Sequence, residues 1–242
     1  MPSLFSDNDG PVLPNFTTLL VKGAYPTFAC LNLALSFQDR EVIILSSCGR
    51  ESSGNSLRTS LQGQKATGRI SALAEKVRVF YPPTAAHMAL LLSAFQIIDI
   101  DRLKPYSDAH GTNIATPVYS HLLKPPGPGL VIIHELSVYF ATDSNQLSSP
   151  SSSYLSILAR AISLSSRLGA SFALFDTQIA QLKMPVYPDP NPHLQRMQEI
   201  APLLANYIEL TVDFEPGLES DVGRITWNIH REHVVEDSTD AH

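Results

Sequence analysis

The constraint that narrows the fold most is an alternation. Apolar runs of strand length recur along the chain, each separated from the next by a loop or a helix-length segment. FTTLLVKG (16–23), EVIILSSC (41–48), KVRVFYP (76–82), GLVIIHELSVYF (129–140) and ASFALFDT (170–177) read as strands. TFACLNLALSFQ (27–38), TAAHMALLLSAFQ (84–96) and YLSILARAISLSSRLG (154–169) read as helices. Strands joined through helices need crossovers, and crossovers make a parallel sheet covered on both faces. The almost wholly apolar character of 41–48 fits such burial, and 129–140 looks the most central of the set. In the first helix Phe28, Leu31, Ala34 and Leu35 recur at helical spacing. In the third, Leu155, Leu158, Ile162 and Leu168 form the apolar side and Gly169 supplies the stop. The prediction is an α/β fold with a mostly parallel sheet flanked by helices.

The remaining segments are less regular. Residues 50–69 are polar and glycine-containing and read as a loop. Residues 99–129 are proline-rich and end in KPPGPG, and 143–153 is a serine-rich stretch expected to be mobile. The prolines of KMPVYPDPNPH (183–193) exclude regular helix. LQRMQEIAPLLANY reads as a broken helix, and IELTVDF with RITWNIHR as a terminal β-hairpin. No internal repeat and no strong linker divides the chain. The expected organisation is a leader (1–15), one domain (16–231) and an acidic tail (232–242).

Composition enters as a filter on function. Apolar residues make up 44% of the chain and charged residues 17%, which supports a core and excludes a disordered composition. The net charge of −6 gives no overall attraction to nucleic acid or anionic lipid. The charge is uneven, however: from Arg50 to Arg78 there are six bases (Arg50, Arg58, Lys65, Arg69, Lys76, Arg78) against two acids, Glu51 and Glu75. Cys30 and Cys48 have no metal-ligand spacing and make no disulfide framework, which reads as a reducing compartment. The N-terminus does not have the form of a secretory signal, and the apolar stretches are broken before membrane-spanning length. A soluble cytoplasmic chain, present also in the nucleus, is expected, with no membrane partner.

The turn after the first strand is where a nucleotide-binding fold would carry its chemistry. In an ATP-binding P-loop that turn carries GxxxxGK[ST], with lysine on the phosphates and a hydroxyl on Mg²⁺. Here Gly23 is followed by Ala24, Tyr25, Pro26, Thr27, Phe28 and Ala29, and Lys22 precedes the turn. Phe28 and Ala29 stand about where lysine and Ser/Thr belong. The expectation is a degenerate nucleotide site (Gly23, Tyr25, Thr27, Glu135) with no cofactor, no metal and no catalytic residues. Glu135, after His134 at the end of its strand, is a carboxylate in the place an ATPase would use, and its plainer reading is a pair with a local donor. GQKATGRI (63–70) spaces its glycines as a P-loop does but follows no strand. His134-Glu135 is not HExxH, and His230 with His233 lacks clustered ligands for zinc. Arg58, Lys65 and Arg69 are candidate nucleic-acid contacts, set beside the plainer reading of a solvated loop with few aromatics for base stacking. A doubly wound enzyme would instead place its site at the carboxyl ends of the strands, near Gly23, Ser47, Glu135 and Asp176.

Strand, glycine turn, helix and strand, followed later by an LVII strand, helix and strand, resemble the RecA-type ATPase core across most of 16–231. RLGASFALFDTQIAQL (167–182) is similar to a strand of the recombinase paralogues that enters a DNA-facing loop. LFSDNDGPVLP (4–14) resembles the leader of fungal members of the sixth-subunit family of Elongator, the tRNA-modification complex. GLVIIHELSVYF and EPGLESDVGRITWNIHR (215–231) resemble that family's apolar strand with Leu-Ser-Val and its terminal hairpin, with a one-residue departure near Gly223. The resemblance implies a non-catalytic subunit of a hetero-hexameric ring of RecA-like Elongator subunits, binding tRNA through the assembly and supporting wobble-uridine modification. The recombinase resemblance implies instead an ATPase-deficient paralogue that assists homologous recombination and DNA repair.

Overall fold

The computed structural model describes residues 2–5, 12–26, 28–37, 39–47, 75–97, 121–123, 127–141, 149–187, 196–215 and 226–231. A seven-stranded sheet organises them. Its strands are β1 (Thr18–Gly23), β2 (Glu41–Ser46), β3 (Val77–Phe80), β6 (Pro128–His134), β7 (Ser171–Asp176), β10 (Leu210–Glu215) and β11 (Thr226–Arg231). Two short ribbons lie outside it, β4 (Phe95–Ile97) with β5 (His121–Leu123), and β8 (Lys183–Pro185) with β9 (Met197–Glu199). The helices are α1 (Ala29–Ser36), α2 (Ala85–Ala94), α3 (Ser151–Leu168) and the single turn α4 (Ala201–Leu204).

The spatial order is β11-β10-β1-β7-β6-β2-β3. Every neighbouring pair is parallel except β10 with β11. The protein is therefore α/β, with a mostly parallel sheet flanked by helices and a hairpin at one edge, consistent with a RecA-like fold. From β1 the chain moves outward to β2 and β3, then returns to insert β6 and β7 between β2 and β1. That route makes β7 the middle strand, with β6 beside it. All seven residues of β6 are nonetheless buried.

The sheet's two faces are covered separately. Ile43, Leu45, Ile133, Phe172 and Leu174 pack with α2 and α3 through Met88, Leu92, Tyr154, Leu158 and Leu164. Val42, Ile44, Leu130, Ile132, Ala173 and Phe175 pack on the other face with α1 and with Leu4 and Leu13 of the leader. Alternate residues of one strand thus enter opposite cores. For this reason the central strands read as unbroken apolar runs.

Several boundaries differ from the sequence reading. The run 129–140 is two elements: β6 ends at His134, and Leu136–Tyr139 is a 3₁₀ turn. Glu135 between them has φ 59°, ψ 50°, which no strand accommodates. The serine-rich segment is partly helix, because α3 begins at Ser151 after Pro150. Its buried face is Tyr154, Ile157, Leu158, Ala161, Leu164, Ser165 and Leu168, while Leu155 and Ile162 lie at the margin. Residues Ala29–Ala34 of α1 are buried all round, so that helix has no polar side, and Phe28 is exposed at its start. Phe95 leaves α2 for an extended strand, and 197–204 forms a strand and one helical turn where a broken helix was expected.

The stop at Gly169 behaves as expected. Its φ is 60°, its N–H closes on the last turn, and Ala170 N donates to Ser165 O at 2.9 Å. Arg40 supports the same terminus, donating to Gly169 O at 2.8 Å and Leu168 O at 3.3 Å. A cation there also meets the negative end of the helix dipole.

Candidate functional site at the carboxyl ends of the strands

β1, β6 and β7 end side by side, and the residues just past their last ladder bonds form one buried polar cluster. Gly23 turns the chain out of β1 with φ 82°. A Cβ there would lie 2.1 Å from Phe214 O, so only glycine fits. Ala24 N donates to that carbonyl at 3.0 Å. The turn then directs Tyr25 inward, where it is only 8% exposed. Its ring meets Phe175 edge-on at 5.4 Å and lies 6.4 Å from the His134 ring and 6.5 Å from Phe214.

The Tyr25 hydroxyl donates to Glu135 Oε1. Glu135 Oε2 accepts from Thr177 Oγ1 at 2.8 Å and from Thr177 N at 3.3 Å. The left-handed backbone of Glu135 makes this possible: its own N–H donates to Phe175 O at 2.7 Å while the side chain turns toward the β1 end. Such a conformation costs about 1–3 kcal/mol at a non-glycine residue. Burial pushes the Tyr25 phenol far up, with the Glu135 carboxylate adding to the effect, so Tyr25 stays a donor. The pKa of the Cys30 thiol, in the first turn of α1, is raised for the same two reasons, in the same order.

Asp176 anchors a second half of the cluster. Oδ2 accepts from Ser137 N at 2.9 Å and Tyr154 Oη at 3.2 Å; Oδ1 accepts from the Ser137 hydroxyl and from Gln178 N at 3.1 Å. Its pKa is raised to about 6, chiefly by burial with the Glu135 carboxylate adding to the rise, while the hydrogen bonds from Ser137 and Gln178 oppose it. His134 lies beside Ser46, with Nδ1 and Oγ 3.1 Å apart, and burial lowers its pKa, favouring the neutral ring. Ser47 N donates to His134 O at 2.9 Å, while its own buried hydroxyl has no partner among the described residues.

The residues singled out from sequence fall into two groups. Gly23, Tyr25, Ser47, Glu135 and Asp176 do converge on the carboxyl end of the sheet, and Glu135 does pair with local donors. Lys22 points elsewhere and pairs with Asp213 at 2.9 Å. Thr27, Arg58, Lys65 and Arg69 lie outside the described residues, as do GQKATGRI, Cys48 and His233. His230 is an exposed position on β11. Tyr154, Ser137 and Thr177 belong to the cluster and were not foreseen as such. Tyr154 is 22 positions from the aspartate it meets, and nothing local in a serine-rich helix start signals a partner at the end of a strand.

Each carboxylate already accepts several internal hydrogen bonds, and an aromatic ring fills the mouth of the β1 turn. Among the described residues no three His, Cys, Asp or Glu side chains are grouped to hold a metal ion, and no helix is long and apolar enough to cross a membrane. No protein-family model and no curated protein matches the sequence.

Proposed function

We propose that this chain is a non-catalytic RecA-like subunit of Elongator that supports tRNA wobble-uridine modification within a hetero-hexameric ring. The observation that carries the reading is Tyr25. At the turn where a RecA-like ATPase grips triphosphate, this chain places a buried aromatic ring hydrogen-bonded to Glu135, the carboxylate just past the LVII strand, which lies two strands from β1 with β7 between them. A triphosphate seated there would have to displace that ring, and Lys22, the lysine nearest the turn in sequence, pairs with Asp213 instead. A negative ligand would also meet the Glu135 carboxylate, which among the described residues has no cation paired with it. The scaffold around the turn is retained, so its faces remain available for assembly with similar folds. The leader, strand and hairpin resemblances supply the complex.

The test is purification of the tagged full-length chain from native cells, with mass spectrometry of what accompanies it. The other Elongator subunits should co-purify, and loss of the gene should deplete modified wobble uridines. Recovery of a recombinase, with DNA-damage sensitivity and intact wobble modification, would replace this reading by the recombinase-paralogue one. Strong thermal stabilisation by ATP with Mg²⁺ would overturn the non-catalytic assignment.

A further inference from the structure

On the sheet face away from α1, α2 and α3 enclose a groove of about 460 Å³. Leu92 and Leu164 form its floor, and its walls carry Ser93, Ser156, Ser163, Arg160 and Arg167. A second hollow of about 570 Å³ continues it toward Phe140 and shares Ser156 and Arg160. We propose that this groove binds the sugar–phosphate backbone of RNA. The inference rests on the RNA-binding part of the proposed function, and it assigns that role to a surface remote from the Tyr25 cluster.

Charge is the first reason. The net charge of the chain is −6, yet neither α2 nor the 18 residues of α3 include an acid. Arg160 and Arg167 are exposed on the same side of α3, about 10 Å apart along its axis. Among the described residues neither is paired with a carboxylate. Each instead reaches across to α2 or its end: Arg160 Nη1 donates to Ser93 Oγ at 3.3 Å and Arg167 Nη2 to Phe95 O at 3.5 Å. These bonds hold both guanidiniums over the groove and leave most of their N–H donors unused.

The hydroxyls decide between polyanions. Serine and alanine are depleted in protein–protein interfaces, whereas arginine with serine is a common phosphate-contacting set. A DNA backbone presents acceptors only. An RNA backbone adds a 2′-hydroxyl that both donates and accepts, and serine hydroxyls can answer either role. Ser93 is engaged by Ala89 O at 2.9 Å and by Arg160, so Ser156 and Ser163 beside the two arginines are the hydroxyls that suit RNA over DNA and over an acidic or phosphorylated peptide.

The experiment uses the full-length chain and a labelled tRNA transcript, titrated by fluorescence anisotropy across a salt series starting near about 50 mM. Binding is expected, with a negative log–log salt slope. R160E/R167E should weaken it at least about tenfold and flatten the slope by about one to two. R160Q/R167Q, which removes charge without reversing it, should fall between the two, and unfolding midpoints show whether both variants fold. S156A/S163A should narrow the preference for RNA over DNA of the same sequence. No binding by the wild-type chain, wild-type affinity in a folded R160E/R167E, equal affinity for DNA, or preferential binding of a phosphopeptide would each overturn the proposal. Co-purification of Elongator subunits is scored separately, on the wild-type chain, so the groove and the complex assignment fail independently.

Discussion

Two glycines and two titrating groups show how much a single position governs here. Gly23 and Gly169 both have positive φ, but a Cβ at Gly23 would strike Phe214 O at 2.1 Å, while at Gly169 it would meet nothing within 4 Å. Gly169→Ala should therefore cost only about 1–2 kcal/mol, the left-handed backbone penalty. Gly23→Ala adds a clash with main chain that cannot rotate away and should cost at least about 3 kcal/mol. Urea denaturation of the two variants checks the order. The cluster also makes a pH prediction. Asp176 has its folded pKa raised to about 6, so its contribution is fully present below about pH 4 and is lost as pH rises through about 6. The swing is roughly 3 kcal/mol. His134 has its folded pKa lowered, so its contribution is present above about pH 6.5 and is lost as pH falls. The two oppose each other between about pH 6.5 and 4. Urea midpoints across that window should fall more steeply with acid in Asp176→Asn than in wild type. In His134→Gln they should fall less steeply or rise. Parallel profiles in all three would show that neither group titrates in this way.

Among the elements, the leader departs furthest from its appearance in the sequence. Before β1 it reads as an appendage, yet Leu4 and Leu13 are 1% and 2% exposed and belong to the same core as α1 and Phe175. Leu13 N donates to Pro2 O at 2.9 Å, and Asn32 Nδ2 donates to Leu4 O at 3.3 Å, tying the segment to itself and to α1. Leu4→Ala and Leu13→Ala should each cost about 2–5 kcal/mol, the range for emptying a packed leucine site. A substitution at the exposed Val12 beside them should cost little. Equal, small effects at all three positions, read from thermal or urea unfolding, would mean that the leader does not share the core's stability. In α3, periodicity located the helix but misplaced its start. The serines at 151–153 read as part of a mobile stretch, yet they form the first turn of the helix, with Ser151 buried and Ser153 N donating to Pro150 O at 2.9 Å.

For the molecule as a whole, what could be read in advance was what adjacent residues settle among themselves. Apolar runs of strand length, the helix stop at Gly169, the turn at Gly23 and the missing phosphate ligands are local in sequence, because backbone freedom, side-chain period and residue chemistry act over a few positions. The α/β class and the parallel sheet followed from them through the crossover rule. The order of strands did not follow. β7 takes the middle because β6 and β7 insert between β1 and β2, a choice made by packing helices on both faces at once. The same is true of the site. The sequence determined that lysine and the hydroxyl are absent after Gly23. Only the tertiary structure decided what stands there instead, since Tyr25, Glu135, Asp176 and Tyr154 come from four separate elements. Their contacts exist once a shared low-dielectric interior forces each buried donor to find an acceptor.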